Sequence, residues 1–222
     1  MNSHQAAWTV PNSPAMHRQI AAILAGHRSD EAAAREHLAD PGAAVRAAAL
    51  GALARSGRIG LPDFKRGFAD RDPSVRRRTC EIAAGWRGAA SGERELRSLV
   101  TDLALLLEDA DDLVCEAASW ALGELCEDRG SVSVGSVDAL CAVVRGHRSP
   151  LCRESAVAAL GTIGDTRAVP SIIAALSDRP AVRRRAVVAL APFDHPDAED
   201  ALRDCLTDRD WQVRQSAEDL LS

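Results

Sequence analysis

The chain contains no tyrosine, a single lysine (Lys65), and aromatic residues at only 3% of its 222 positions. A β-sandwich core leans on β-branched and aromatic side chains. Here the apolar content is mainly Ala, Leu and Val, which suits closely spaced helices. The expected fold class is therefore all-α. Basic charge is also in short supply: 27 Lys and Arg stand against 32 Asp and Glu, a formal net charge of -5. That balance argues against a surface devoted to phosphates, so no nucleic-acid partner is expected. The six cysteines (Cys80, Cys115, Cys126, Cys141, Cys152, Cys205) form no Cys-x-x-Cys pair and no Cys/His cluster at zinc-finger spacing. They read as small hydrophobes within helices, and neither a metal nor a cofactor is expected. No apolar run approaches the ~20 residues of a membrane span, and Met1 to Pro14 lacks the regions of a signal peptide. The expectation is a reduced, soluble, cytoplasmic protein with no membrane partner. Arg in place of Lys, with abundant Ala and Gly, points to a GC-rich bacterial genome. No Gly-x-Ser-x-Gly, phosphate loop or His-Glu-x-x-His is present, and no catalytic residue is nominated.

What the chain does have is an internal repeat. A turn rich in Asp and Pro leads into Val-Arg, at Asp40-Pro41 with Val45-Arg46, Asp72-Pro73 with Val75-Arg76, and Asp111-Asp112 with Val114-Cys115. It returns at Ser149-Pro150 with Cys152-Arg153, Arg179-Pro180 with Val182-Arg183, and Asp208-Arg209-Asp210 with Val213-Arg214. The period is about 30 residues, stretching to about 39 on each side of the third unit, within the range of helical repeats. Four residues after each Val (or Cys152) stand Ala49, Thr79, Ala118, Ala156, Ala186 and Ala217. Seven after stand Ala52, Ile82, Ala121, Ala159, Ala189 and Leu220, and eight after, Leu53, Ala83, Leu122, Leu160, Leu190 and Leu221. Positions 0, 4, 7 and 8 share one face of a 3.6-residue helix, and the small residues among them let a neighbouring helix come close. Between these helices lie second apolar-periodic segments, such as Leu96, Val100, Leu103 and Leu107, or Val169, Ile172, Ile173 and Leu176. Each unit is a helical hairpin that buries its stripe only by stacking on the next. Asp72 and Ser149 are placed to cap their helices, with proline following at the first helical position.

The pattern Asp-x-Asp-Pro-x-Val-Arg…Ala-x-x-Ala-Leu-Gly, clearest at Ser149 to Gly161 and Asp178 to Leu190, resembles HEAT repeats; its short form is similar to the HEAT-like repeats of the phycobilin lyases. The resemblance spans roughly residues 28–222. It implies a right-handed α-solenoid of about six hairpins, with Pro14 to Gly26 (Met16, Ile20, Ile23 and Leu24 on one side) as an N-terminal capping helix. Residues 1–13 read as a mobile arm and 14–222 as a single solenoid. The resemblance also implies an Asp/Arg ladder between repeats. Arg46, Arg76, Arg153, Arg183 and Arg214 match its arginines, with Asp40, Asp72, Asp178 and Asp210 as candidate partners. The third repeat departs from the pattern, with Cys115 in place of Arg and longer stretches around it, Gly88 to Gly92 and Gly130 to Ser136.

In such stacks the motif helix lines the concave face. Its outward positions, two and six after the Val, are Ala47 and Gly51, Arg77 and Glu81, Glu116 and Trp120, Glu154 and Ala158, Arg184 and Val188, Gln215 and Asp219. Trp and Arg are enriched in interface hot spots, so Trp120, Glu116 and Glu154 with Arg77, Arg78, Arg184 and Arg185 form a candidate partner-binding surface. Mixed charge along it suits a protein or peptide better than a polyanion. The functional expectation is a non-enzymatic scaffold or adaptor. The alternative is a phycobilin-lyase-type or chaperone-like accessory factor holding a cofactor or client protein, and a minor one is a DNA binder resembling the HEAT-type DNA glycosylases. Deoxyhypusine hydroxylase, also HEAT-like, carries paired His-Glu dipeptides for two irons. No His-Glu occurs here, where His37, His147 and His195 precede Leu38, Arg148 and Pro196.

Overall fold

The computed structural model describes residues 13–86, 92–126 and 134–222. Residues 1–12 of the expected arm, with Trp8 and Val10, lie outside the described residues, as do 87–91 and 127–133. Among the described residues the chain is helical throughout, with no strand. It divides into two compact units, Met1–Asp63 and Phe64–Ser222.

The first unit holds α1 (Pro14–His27), α2 (Glu31–His37) and α3 (Ala43–Arg55), and the start of α4 (Leu61–Phe68). The expected capping helix is α1, which packs on α3 and α2. It does so through Ala22, Ala25 and Gly26, whereas Ile20, Ile23 and Leu24 stay exposed. Proximity explains the choice: a Cβ on Gly26 would stand 2.7 Å from the Ala52 Cα, a separation that branched side chains could not share. Asp30 caps α2 through the Ala33 amide, and Arg35 bridges Glu31 and the buried Asp63 carboxylate, both at 2.8 Å.

The second unit continues with α5 (Pro73–Ala84), α6 (Glu93–Leu105), α7 (Asp112–Cys126), α8 (Val134–Gly146), α9 (Pro150–Ile163), α10 (Val169–Ala175), α11 (Pro180–Leu190), α12 (Pro196–Cys205) and α13 (Trp211–Leu221). Two layers form. The motif helices α5, α7, α9, α11 and α13 pack in series, α6, α8, α10 and α12 pack in a second series, and each helix of the second layer pairs with the motif helix that follows it. Proline opens α5, α9, α11 and α12, where its missing N–H costs nothing. Asp72 caps α5 and Asp210 caps α13 through amides two residues on. Ser149 does not act as the expected cap: it makes no side-chain capping hydrogen bond.

Burial follows the repeat offsets. The residues at offset four are all fully buried, as are Ala121, Leu122 and Leu160. In the last repeat Leu220 is exposed and lines a groove with Leu190 and Leu202. Gly51, expected to point outward, is buried. Small residues set how closely the motif helices approach. A Cβ on Gly161 would lie 2.8 Å from the Ala189 Cα, and one on Gly123 would lie 3.2 Å from the Ala159 Cα.

Candidate functional site

Two places on the second unit bring functional side chains together. The first is the outward face of the motif helices. Trp120, six residues after Val114 on α7, is 45% exposed, and Val188 at the same offset on α11 is 52% exposed. An indole held open to water on an ordered helix is an unusual use of apolar area. Glu154, Arg184, Arg185, Val188, Ala181 and Ser216 line a groove of ≈ 250 Å³ between α9, α11 and α13. Within it Arg185 lies 3.6 Å from Glu154, and Arg184 donates to the Gln212 side-chain oxygen. On α5, Arg77 and Arg78 both turn to Glu81, at 3.4 and 2.9 Å. The nominated residues thus fall into three groups along one series of helices: Arg77 and Arg78 on α5, Glu116 and Trp120 on α7, and the Glu154/Arg184/Arg185 groove. The arginine pairs are solvent-exposed and individually weak. Trp86, another tryptophan of this unit, makes an edge-on contact with Phe64 (centroids 5.5 Å apart).

The second place is the turn side of the stack, where the ladder runs. Arg76 reaches Asp109 with two hydrogen bonds of 2.7 and 2.8 Å, Arg153 reaches Asp178 at 2.6 and 2.7 Å, and Arg183 reaches Asp208 at 3.0 and 2.9 Å. Each of these arginines also donates to a carbonyl of its own turn: Asp70, His147 and Asp178 respectively. Arg214 donates to the Asp208 carbonyl, and Arg46 to those of Asp40 and Pro41. Arg18 makes the corresponding rung in the first unit, 2.7 Å from Asp40. At the last joint Asp208 holds the rung, and Asp210 caps α13 instead. The accepting carboxylate stands earlier in the turn, at Asp109 and Asp208, which the sequence reading missed. The cue available was a second aspartate two residues before the capping one.

These carboxylates are electrostatically settled. Arg153 and Arg183 hold Asp178 and Asp208 below the usual carboxylate range. Burial pushes Asp109 up, but the Arg76 guanidinium and the Asp111 amide outweigh it and bring it down.

At the third repeat the ladder is replaced. Cys115 stands where the arginine would, and His147 stands where the receiving aspartate would, six residues before Arg153. His147 Nδ1 accepts from the Ser149 amide at 3.1 Å, the bond that Asp109 makes with the Asp111 amide at 2.9 Å. Cys152, at the motif's Val position, completes a trio whose ligand-capable atoms all lie within 4.8 Å of one another. Both cysteines are buried and His147 is half-buried. Cys152 donates its S–H to the Asp112 carbonyl at 3.2 Å.

Residues 137–222 match the family model described as HEAT repeats. No curated protein matches the chain in sequence. Among solved structures the chain is similar to YibA of Escherichia coli (TM-score 0.65, 18% identity, 94% of this chain and 74% of that one). It is similar to a designed armadillo repeat protein in complex with the peptide (KR)4 (TM-score 0.58, 17% identity, 94% and 98%). It also resembles the complex of CpcE and CpcF of phycocyanin lyase from Nostoc sp. PCC7120 (TM-score 0.57, 21% identity, 86% and 75%). At these identities the likeness is one of fold: an all-helical armadillo/HEAT repeat solenoid.

Proposed function

We propose that this chain, built of HEAT-like repeats, is a non-enzymatic adaptor that binds a protein or peptide along the outward face of α7, α9 and α11. The observation that carries the reading is Trp120, 45% exposed at mid-helix on that face. Trp120 supplies the apolar anchor, Val188 a second contact, and Glu116, Glu154, Arg184 and Arg185 a mixed-charge rim that fixes the register of a partner carrying both signs. Arg77 and Arg78 extend the same rim on α5. A designed neighbour that carries the (KR)4 peptide supports the idea that this architecture can hold an extended peptide.

The accessory-factor reading, lyase-type or chaperone-like, is the weaker one. The groove on this face is ≈ 250 Å³ and is lined by Glu154, Arg184, Arg185 and Ser216. Cofactor pockets run from about 300 to 1,000 Å³ and are mostly apolar. The glycosylase-like reading would use Trp120 and Trp86 beside a lesion, but the net charge of -5 opposes phosphate binding and the edge contact of Trp86 with Phe64 gives that ring a packing role.

The test is site-specific photocrosslinking from position 188 in cells, followed by titration of the identified partner in solution. Trp120→Ala should weaken binding at least about thirtyfold, the scale of an interface hot spot. Arg184→Glu should weaken it less and change its salt dependence. Unchanged affinity in the Trp120→Ala, Arg184→Glu double variant would refute the proposed surface.

A further inference from the structure

We infer that Cys115, His147 and Cys152 form a binding site for a thiolate-preferring divalent cation, zinc by its chemistry, built in place of one rung of the ladder. Three departures from the repeat converge on this point. The rung arginine has become Cys115, its receiving aspartate has become His147, and the buried Val of the next motif has become Cys152. Each change alone is a tolerable substitution. Together they exchange an ion pair for two sulfurs and an imidazole, with the ligand-capable atoms within 4.8 Å of one another. Zinc sits about 2.3 Å from sulfur and about 2.0–2.1 Å from nitrogen, so ligands around one tetrahedral ion stand roughly 3.5–3.8 Å apart. Closing the trio onto an ion therefore takes shifts of about 1 Å or less, within the reach of side-chain torsions.

Charge supports the same assignment. An Arg–Asp rung is neutral as a pair. So is a zinc ion with two thiolates and a neutral imidazole. Binding releases two thiol protons to solvent, one of which Cys152 now donates to the Asp112 carbonyl. His147 must also give up its bond from the Ser149 amide, whichever ring nitrogen ligates. A ligating Nδ1 uses the same lone pair, and a ligating Nε2 moves the ring proton onto Nδ1. The Ser149 amide lies at a half-exposed turn, where water can replace the ring. With three protein ligands, the fourth position falls to water or to a donor from outside. His147 borders an open groove of ≈ 430 Å³ with Val144, Arg153 and Asp178, which gives the ion a path in.

The experiment uses the full chain, reduced and stripped of metal. Zinc is titrated against a chromophoric chelator, and cobalt(II) serves as a spectroscopic probe. Expected are one zinc per chain by native mass spectrometry and a thiolate-to-cobalt charge-transfer band with tetrahedral visible bands. Zinc should protect Cys115 and Cys152, but not Cys80, Cys126, Cys141 or Cys205, from alkylation in partial denaturant. Two variants restore the repeat's own residues: Cys152→Val, and the double change Cys115→Arg with His147→Asp, which rebuilds a rung. Each should fold and bind zinc at least about a hundredfold more weakly. Should Cys152→Val fail to fold, the double variant decides. The inference is overturned if the double variant binds zinc as tightly as the parent chain. It is equally overturned if zinc protects the other four cysteines equally, or if the reduced parent chain binds no zinc.

Discussion

The rung aspartates each do two things at once. Oδ1 of Asp109 takes the Asp111 amide at 2.9 Å and the Arg76 guanidinium at 2.8 Å, and Oδ1 of Asp208 takes the Asp210 amide at 2.7 Å and Arg183 at 2.9 Å. The turn's own amide thus orients the carboxylate before the neighbouring repeat arrives. The geometry is bidentate, and Arg183 keeps only 3% of its side chain exposed. Removing one partner of such a pair strands a buried charge, which costs about 3–5 kcal/mol, whereas an exposed pair is worth about 0–1 kcal/mol. Arg183→Ala should therefore lower the unfolding free energy by about 3 kcal/mol in urea. Arg185→Ala, two positions on but 46% exposed, should change it by less than about 1 kcal/mol. Equal effects would contradict the ladder as a stabilising device. The arginines recur at one offset, and it was the resemblance to HEAT repeats that implied their ladder role. The rung acceptor was misplaced at Asp210, because a carboxylate beside a helix start can serve as a cap or as a rung acceptor. Spacing alone does not separate those roles when Asp-x-Asp supplies both.

Among helices, the repeat offsets predicted burial well, since a 3.6-residue period reports directly which face meets a neighbour. The pattern could not show how close the neighbour comes, which depends on where two helices cross. That is why Gly51 was placed outward and is buried, and why the small face of α1 packs while Ile20, Ile23 and Leu24 do not. Crossing distance yields a prediction at Gly161. Alanine there gains up to about 1 kcal/mol of helix propensity but sets a methyl 2.8 Å from the Ala189 Cα. Overpacking of that kind costs about 1–3 kcal/mol, so Gly161→Ala should destabilise by about 1–2 kcal/mol net. Gly146→Ala, where an added Cβ meets nothing within 4 Å, should not destabilise at all. Chemical denaturation of the two variants decides this. The candidate sites show the same limit. Trp120 could be placed at an outward position from its offset on one helix, and it is exposed there. The Cys115/His147/Cys152 trio was missed because its members belong to different repeats, at spacings that match no metal motif.

For the chain as a whole, stability should follow pH through two opposed sets of groups. Asp109, Asp178 and Asp208 have folded pKa values below the ordinary carboxylate value near 3.9. As acid is added the unfolded chain takes up protons first, so their contribution is complete above about pH 5 and drains away as pH falls through the folded values. Cys80 has the reverse sign. Burial pushes its thiol up to about 12, so its contribution is complete below the ordinary value near 8.5 and is lost as pH rises towards 12. Urea unfolding across pH should show a plateau between about pH 5 and 8 with losses on both sides, the acid limb shallower in an Arg183→Ala background. A profile flat down to pH 3 would mean the rungs contribute nothing. The rungs also bear on how such a chain could grow. Each joint is made of unlike halves, a guanidinium at the rear of one module and a carboxylate at the front of the next, as from Arg153 to Asp178 and from Arg183 to Asp208. Because the halves are the same at each of these joints, a module duplicated or deleted in tandem would still meet a matching neighbour. The boundary between Cys115 and His147 is different. A cassette spliced in there would face a thiol with a carboxylate and an imidazole with a guanidinium, so that boundary resists the rearrangement its neighbours permit.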